Sequence, residues 1–225
     1  MSLISDIPLF LPVRVNNRTN ILIADDHILL MDLWAQALSN DRRFHICGKA
    51  PSTTIAIDMA RDIRPDIILM DIHIGPIDGF EATRIIRNVS PKSKIIALSG
   101  SALSAYARKM KAIGALGYVT KCSTLEEMTN AIVSVSKGKF YYCTTIRKII
   151  YNEEKLGINT ANDADLTGRE LEIIDLVKRG MDGHQIALHL NISRRTVYNH
   201  QNNIYKKLRV SNATAMIHAA HIKGI

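Results

Sequence analysis

The chain has 225 residues, room for one large domain or two small ones, and 47% of them are hydrophobic, enough for a buried core. Its three cysteines, Cys47, Cys122 and Cys143, lack CxxC spacing and are odd in number, which excludes a disulfide framework or a cysteine zinc site and points to a reducing, cytoplasmic setting. The formal net charge of +8 is unevenly spread: no acid follows Asp182, whereas Arg194, Arg195, Lys206, Lys207, Arg209 and Lys223 do, so the C-terminal part suits a phosphate-rich partner.

Residues 1–19 read as an N-terminal extension. The Ile7–Val13 run holds two prolines and has no basic segment before it, so it is no signal peptide. No apolar run reaches the roughly 18 residues of a membrane span, so no membrane association is expected.

Ile21–Ala24 is a first apolar strand, ending in Asp25-Asp26-His27. A helical pattern follows through Leu29, Leu30, Leu33, Trp34, Ala37 and Leu38, and then a second strand, Phe44–Cys47. The next helix, Ser52–Ile63, is expected to turn Ile55, Ala56, Met59 and Ile63 inward. Ile67-Ile68-Leu69-Met70-Asp71 is an unbroken apolar run ending at one carboxylate, the signature of a parallel strand buried on both faces. Asp78 begins a helix, with Glu81 placed for a capping box. Ile95–Leu98 ends at Ser99, and Gly117–Thr120 ends at Lys121. A polar helix separates these two strands, and Thr124–Val135 supplies a fifth, with Leu125, Met128, Ile132 and Val135 inward.

Five alternations of strand and helix predict an α/β fold, a doubly wound five-stranded parallel sheet over residues 20–138. Residues 139–165 read as linker, with a sticky patch at Phe140–Tyr142 and Ile146–Ile150 that suits a short docking helix. From Leu166 to Ile225 the pattern becomes all-α, four short helices in a small second domain.

Ligands of open α/β sheets bind at the carboxyl ends of the strands. Those ends carry Asp25, Asp26, Asp71, Ser99 and Lys121. Three crowded carboxylates call for a cation, and Mg²⁺ favours oxygen ligands. A carboxylate beside Mg²⁺, with an ammonium and a hydroxyl near it, suits phosphoryl transfer.

These residues, with Asp78-Gly79, Ser99-Gly100 and Gly114–Lys121, resemble the receiver domain of bacterial response regulators, a flavodoxin-like fold. The resemblance implies that Asp71 is the phospho-acceptor and that Asp25, Asp26, Asp71 and the His73 carbonyl hold the metal. It also implies that Lys121 and Ser99 stabilise the phosphoryl group, with Ser99 and Tyr118 as the switch pair. One departure is that the proline usual four residues after the phospho-acceptor is Gly75 here, with Pro76 next.

In the second domain, Val197, Ile204 and Leu208 fall on one face of a helix from Arg194, opposite Arg195, Tyr198, Asn199, Asn202 and Lys206. Planar amides and cations suit base edges and phosphates. The preceding helix, near Asp182–Leu190, and its turn complete a helix-turn-helix. The spacing resembles the LuxR-type output domain of NarL/FixJ-class response regulators, which implies a recognition helix at Arg194–Leu208. Its DNA-binding candidates are Arg194, Arg195, Thr196, Tyr198, Asn199, Asn202, Asn203, Lys206 and Lys207. Arg194 and Tyr198 depart from the residues common there.

The resulting expectation is a regulator and not an enzyme: a histidine kinase phosphorylates Asp71, and the phospho-form exposes the DNA-binding helices, pairs into a homodimer and grips double-stranded DNA. A Mg²⁺-dependent phosphohydrolase with Asp71 as nucleophile, or a constitutive DNA binder with a silent receiver, are the alternatives.

Overall fold

The computed structural model describes residues 18–74, 78–156, 166–223 and 225. The Gly75-Pro76 departure and most of the N-terminal extension lie outside the described residues.

The first unit alternates β1 (Thr19–Ala24), α1 (Ile28–Ser39), β2 (Phe44–Ala50), α2 (Thr53–Ile63), β3 (Ile67–Asp71), α3 (Gly79–Val89), β4 (Lys94–Ser99), α4 (Ser104–Ala112), β5 (Gly117–Thr120) and α5 (Leu125–Ser136), and a last strand, β6 (Tyr141–Tyr142), follows. All strand pairs are parallel, in the order β2-β1-β3-β4-β5-β6. Every side chain of β3 is buried, as its unbroken apolar run requires of a central strand covered by helices on both faces. Each fully buried Ile or Leu there contributes about 1.5–3 kcal/mol.

The sheet has six strands where the sequence pattern gives five. The additional strand, β6, falls in the stretch expected to be linker. Two residues are too few to show a period. What makes them a strand is pairing at a distance: Tyr141 N–H donates to the Leu116 carbonyl at 3.0 Å and Cys143 N–H to the Tyr118 carbonyl at 3.0 Å. The strand leads into α6 (Thr144–Lys155), which folds back onto α4. There Ser104 Oγ donates to Glu153 Oε1 at 2.6 Å, and Arg108 Nη2 lies 2.7 Å from Glu153 Oε2. Ile146 is the fully buried residue of α6.

Three helix faces differ from expectation. On α1 the buried residues are Met31, Trp34 and Leu38, while Leu29 and Leu33 are exposed. On α2 they are Thr53, Ala56, Ile57 and Ala60, with Ile55 exposed, and Leu125 of α5 is exposed too. These helices are apolar over more than one face, so periodicity alone leaves the inward stripe ambiguous.

Asp78 caps α3 through its Oδ1, which accepts from Glu81 N–H at 2.8 Å. The reciprocal half of a capping box is replaced by an ion pair from Glu81 to Arg84. Gly79 is required next to it, because a Cβ there would meet the Asp71 carbonyl and the Ile72 backbone. The start of α3 is thus pressed against the end of β3, directly behind the carboxylate.

The second unit holds α7 (Gly168–Lys178), α8 (Gly183–His189), α9 (Arg194–Leu208) and α10 (Ala213–Lys223), the four helices expected. Thr167 and Glu170 form a full capping box on α7, and Asp182 and Gln185 another on α8. No helix among the described residues is long and apolar enough to cross a membrane.

Candidate functional site

The carboxyl ends of β1, β3 and β5 bring Asp25, Asp71 and Lys121 together. Lys121 Nζ donates to Asp71 Oδ2 at 2.7 Å and to Asp25 Oδ1 at 3.0 Å. Both carboxylates are essentially without solvent contact. Asp71 Oδ1 accepts from His73 N–H at 3.1 Å, which fixes the carboxylate plane. Burial holds Asp71 above the ordinary carboxylate range, opposed by the Lys121 charge and reinforced by Asp25. Burial also works against the Lys121 charge, but Asp71 and Asp25 more than offset it and raise its pKa.

Two buried carboxylates share the Lys121 ammonium, and the exposed Asp26 beside them pairs only with His27, so the pocket keeps excess negative charge. Asp25 Oδ2 sits 2.8 Å from the ammonium yet has no well-aligned donor. Ligand atoms of Asp25, Asp26, His27 and Asp71 lie within 4.8 Å of one another. An oxygen-rich, under-neutralised cluster of this kind fits a hard divalent cation.

The sequence pattern gives His27 no role beyond a solvent-facing helix start. In the structure its Nδ1 lies 2.9 Å from Asp26 Oδ1 and 3.2 Å from Asp25 Oδ1, so it joins the cluster. Its position directly after two aspartates is the signal that points to it.

Ser99 is buried at the end of β4, its Oγ accepting from Ser101 N–H at 3.0 Å. Tyr118 is buried as well, and its hydroxyl donates to the Ser101 carbonyl at 3.1 Å. The proposed switch pair therefore meets through one loop residue. Burial raises the Tyr118 pKa and keeps the phenol protonated.

The second unit roofs this pocket. Gly168 at the start of α7 lies against the Phe80 ring, where a Cβ would collide. His73 Nε2 lies 3.6 Å from Glu172 Oε1, and the His73 ring packs edge-on against Tyr106 at 5.3 Å. A cleft of about 290 Å³ is lined by Asp71, His73 and Lys121 on one side and by Glu172, Asp175, Arg179 and His189 on the other. Burial lowers the His73 pKa, partly countered by Glu172.

On α9, Val197 and Ile204 are buried and Leu208 is half-buried, as the helical period requires. Arg195, Tyr198, Asn199, Asn203 and Lys206 are exposed, and Asn202 is half-exposed. This outer face is open although α7 is docked. The turn before α9, at Leu190, Asn191 and Ile192, lines a cleft together with Asp26, His27 and His73 of the first unit.

Lys207 has a partner within the unit. Its Nζ is bound by Glu170 Oε2 at 2.7 Å, and Glu170 is 2% exposed. Position 207 lies on the flank of α9 that meets α7. Arg194 Nε donates to His184 Nδ1 at 2.9 Å, and the Thr196 hydroxyl is 2.8 Å from that of Ser193, which caps the helix.

Comparison with known proteins agrees with both units. Residues 21–133 match the response regulator receiver domain, and residues 164–220 match the bacterial regulatory proteins of the luxR family. The chain is 32% identical to the transcriptional regulatory protein DesR of Bacillus subtilis, over 91% of this chain and 98% of that one. It is 32% identical to LiaR of the same organism, over 89% and 96%. A solved structure of RcsB from Salmonella enterica, bound to a promoter, shares the fold with a TM-score of 0.63 at 20% identity, covering 90% of this chain and 98% of that one. The chain belongs to the two-component response regulators of the NarL/FixJ class, with a receiver domain and a LuxR-type helix-turn-helix domain. Its function is that of a DNA-binding transcriptional regulator of a two-component system.

Proposed function

We propose that Asp71 accepts a phosphoryl group from a partner histidine kinase, and that this controls how a homodimer of the chain binds double-stranded DNA through α9. The observation that carries the reading is the Lys121 ammonium held 2.7 Å from a fully buried Asp71 carboxylate. An Asp71 oxygen attacks phosphorus, the P–N bond of the phosphorylated imidazole breaks, and its electron pair leaves with the nitrogen. Lys121 stays protonated and turns from the free carboxylate to a phosphoryl oxygen. The Ser99 hydroxyl, one strand away, donates to another. Mg²⁺ held by Asp25, Asp26, Asp71 and the His73 carbonyl would neutralise charge on the phosphoryl oxygens.

The acyl phosphate carries up to about two negative charges where the carboxylate carried one, a net gain of about one. Glu172 and Asp175 face the same cleft from α7. The added charge changes the electrostatic balance of a cleft that α7 and its C-cap line with Glu172, Asp175 and Arg179, which supports a shift between docked and released states. Release frees the second unit to pair with that of another copy, as a two-fold DNA site demands. Uptake of one acid-labile phosphate from acetyl phosphate, run beside a DNA shift assay, tests this reading. Labelling without any change in DNA binding leaves a silent receiver.

Asp26→Asn should weaken Mg²⁺ binding roughly tenfold, since one charge at ligand distance in a partly screened site contributes about 1–2 kcal/mol. Trp34, the single tryptophan, is buried on α1, the helix that follows the cluster, and its fluorescence reports the titration. Unchanged affinity in the variant removes Asp26 from the metal site.

A further inference from the structure

We propose that α9 reads a half-site of A·T pairs bordered by one guanine, with Tyr198 against a thymine methyl and Asn199 on an adjacent adenine. This rests on the DNA-binding reading above and specifies what that face selects. Three of the nine candidates are already engaged within the unit: Arg194 with His184, Thr196 with Ser193, and Lys207 with Glu170. Among the described residues, Arg195, Tyr198, Asn199, Asn202, Asn203 and Lys206 are left without side-chain partners.

The chemistry of that remaining set is selective. An asparagine amide offers one donor and one acceptor, matching adenine N7 and N6 in the major groove, and three of the six are asparagines. Arg195 is the only free guanidinium on the helix and lies in its N-terminal half, so it is the side chain best placed to grip guanine O6 and N7 bidentately. No carboxylate stands on α9 to accept from cytosine N4.

Tyr198 is 62% exposed on a helix that is otherwise polar outside. Its ring lies on the outer face next to Asn199, in the N-terminal half of the helix that enters the groove. An exposed aromatic face gains by covering the one apolar group on the floor of the major groove, the thymine C5-methyl. Lys206, about two turns further on, sits where the helix leaves the groove and suits a phosphate.

The test is selection of duplexes from a random pool by the full chain treated with acetyl phosphate, followed by thymine-to-uracil exchange within the selected site. A·T pairs are expected beneath positions 198 and 199. Uracil should weaken wild-type binding about fourfold, the equivalent of one buried methyl group. Tyr198→Phe should keep that penalty and Tyr198→Ala should lose it. Asn199→Ala should lose about tenfold on the selected site and little on random DNA. Enrichment of G·C at those positions, or a uracil penalty that persists in Tyr198→Ala, overturns the proposal while leaving DNA binding intact. Failure to enrich any sequence, with no binding to random duplex, overturns it together with the DNA-binding reading.

Discussion

A chain carrying Asp71→Asn takes up no label from acetyl phosphate, whereas the wild-type chain takes up one acid-labile phosphoryl group. An amide oxygen is no nucleophile at phosphorus, so the loss is complete. The fold survives, because the side-chain amide oxygen that replaces the carboxylate can still accept from His73 N–H, and Lys121 keeps Asp25 as partner. Stability carries a second, independent signature. The folded-state pKa of Asp71 lies above its ordinary value because the carboxylate is buried. Ionisation therefore costs stability, a cost absent below the ordinary carboxylate pKa and present once pH has risen through the raised one. Without Mg²⁺ the variant should resist urea at least as well as the wild type at neutral pH, and the gap should close in acid. Labelling that persists in Asp71→Asn places the nucleophile elsewhere.

Lys207→Met destabilises the second unit by about 2–3 kcal/mol, while Lys206→Met stays within about 0.5 kcal/mol. Removing the ammonium strands the buried Glu170 carboxylate, whose Oε2 otherwise serves both Thr167 N–H at 2.6 Å and Lys207. The figure sits below the usual cost of breaking a buried pair because the Lys207 side chain is 32% exposed. The DNA readouts separate the same two residues in the opposite sense. Lys206→Met lowers the salt slope of DNA binding by about one, as loss of a phosphate contact does. Lys207→Met leaves the slope alone when measured well below its unfolding midpoint. Urea unfolding and salt titrations decide the matter. Equal slopes for the two variants, with no loss of stability in Lys207→Met, return Lys207 to the DNA surface.

The strands that frame the site were legible because each is a short apolar run ending at a single polar residue. Asp71, Ser99 and Lys121 announce themselves as the places where buried strands stop. β6 was not legible, since a two-residue strand exists only through its bonds to the residues around β5. The inward stripe of α1 was blurred because Leu29 and Leu33 satisfy the helical period as well as Met31 and Trp34 do, and only packing chooses between them. On α9 the sequence marked the outer face correctly through Val197 and Ile204. It could not show that Lys207, one position beyond the outward Lys206, meets a carboxylate from α7 far back in the chain. The roof over Asp71 was equally invisible. Gly168 and Glu172 look like ordinary residues of a helix start, and only the tertiary arrangement sets them against Phe80 and His73.

The most direct test of phosphorylation-controlled DNA binding is the affinity of the full chain for a duplex bearing two half-sites about one helical turn apart, with Mg²⁺ present, before and after treatment with acetyl phosphate. Treatment should tighten binding to the paired site far more than to a single half-site, and should do nothing in Asp71→Asn. Equal affinity for paired and single sites, before and after treatment, contradicts the account.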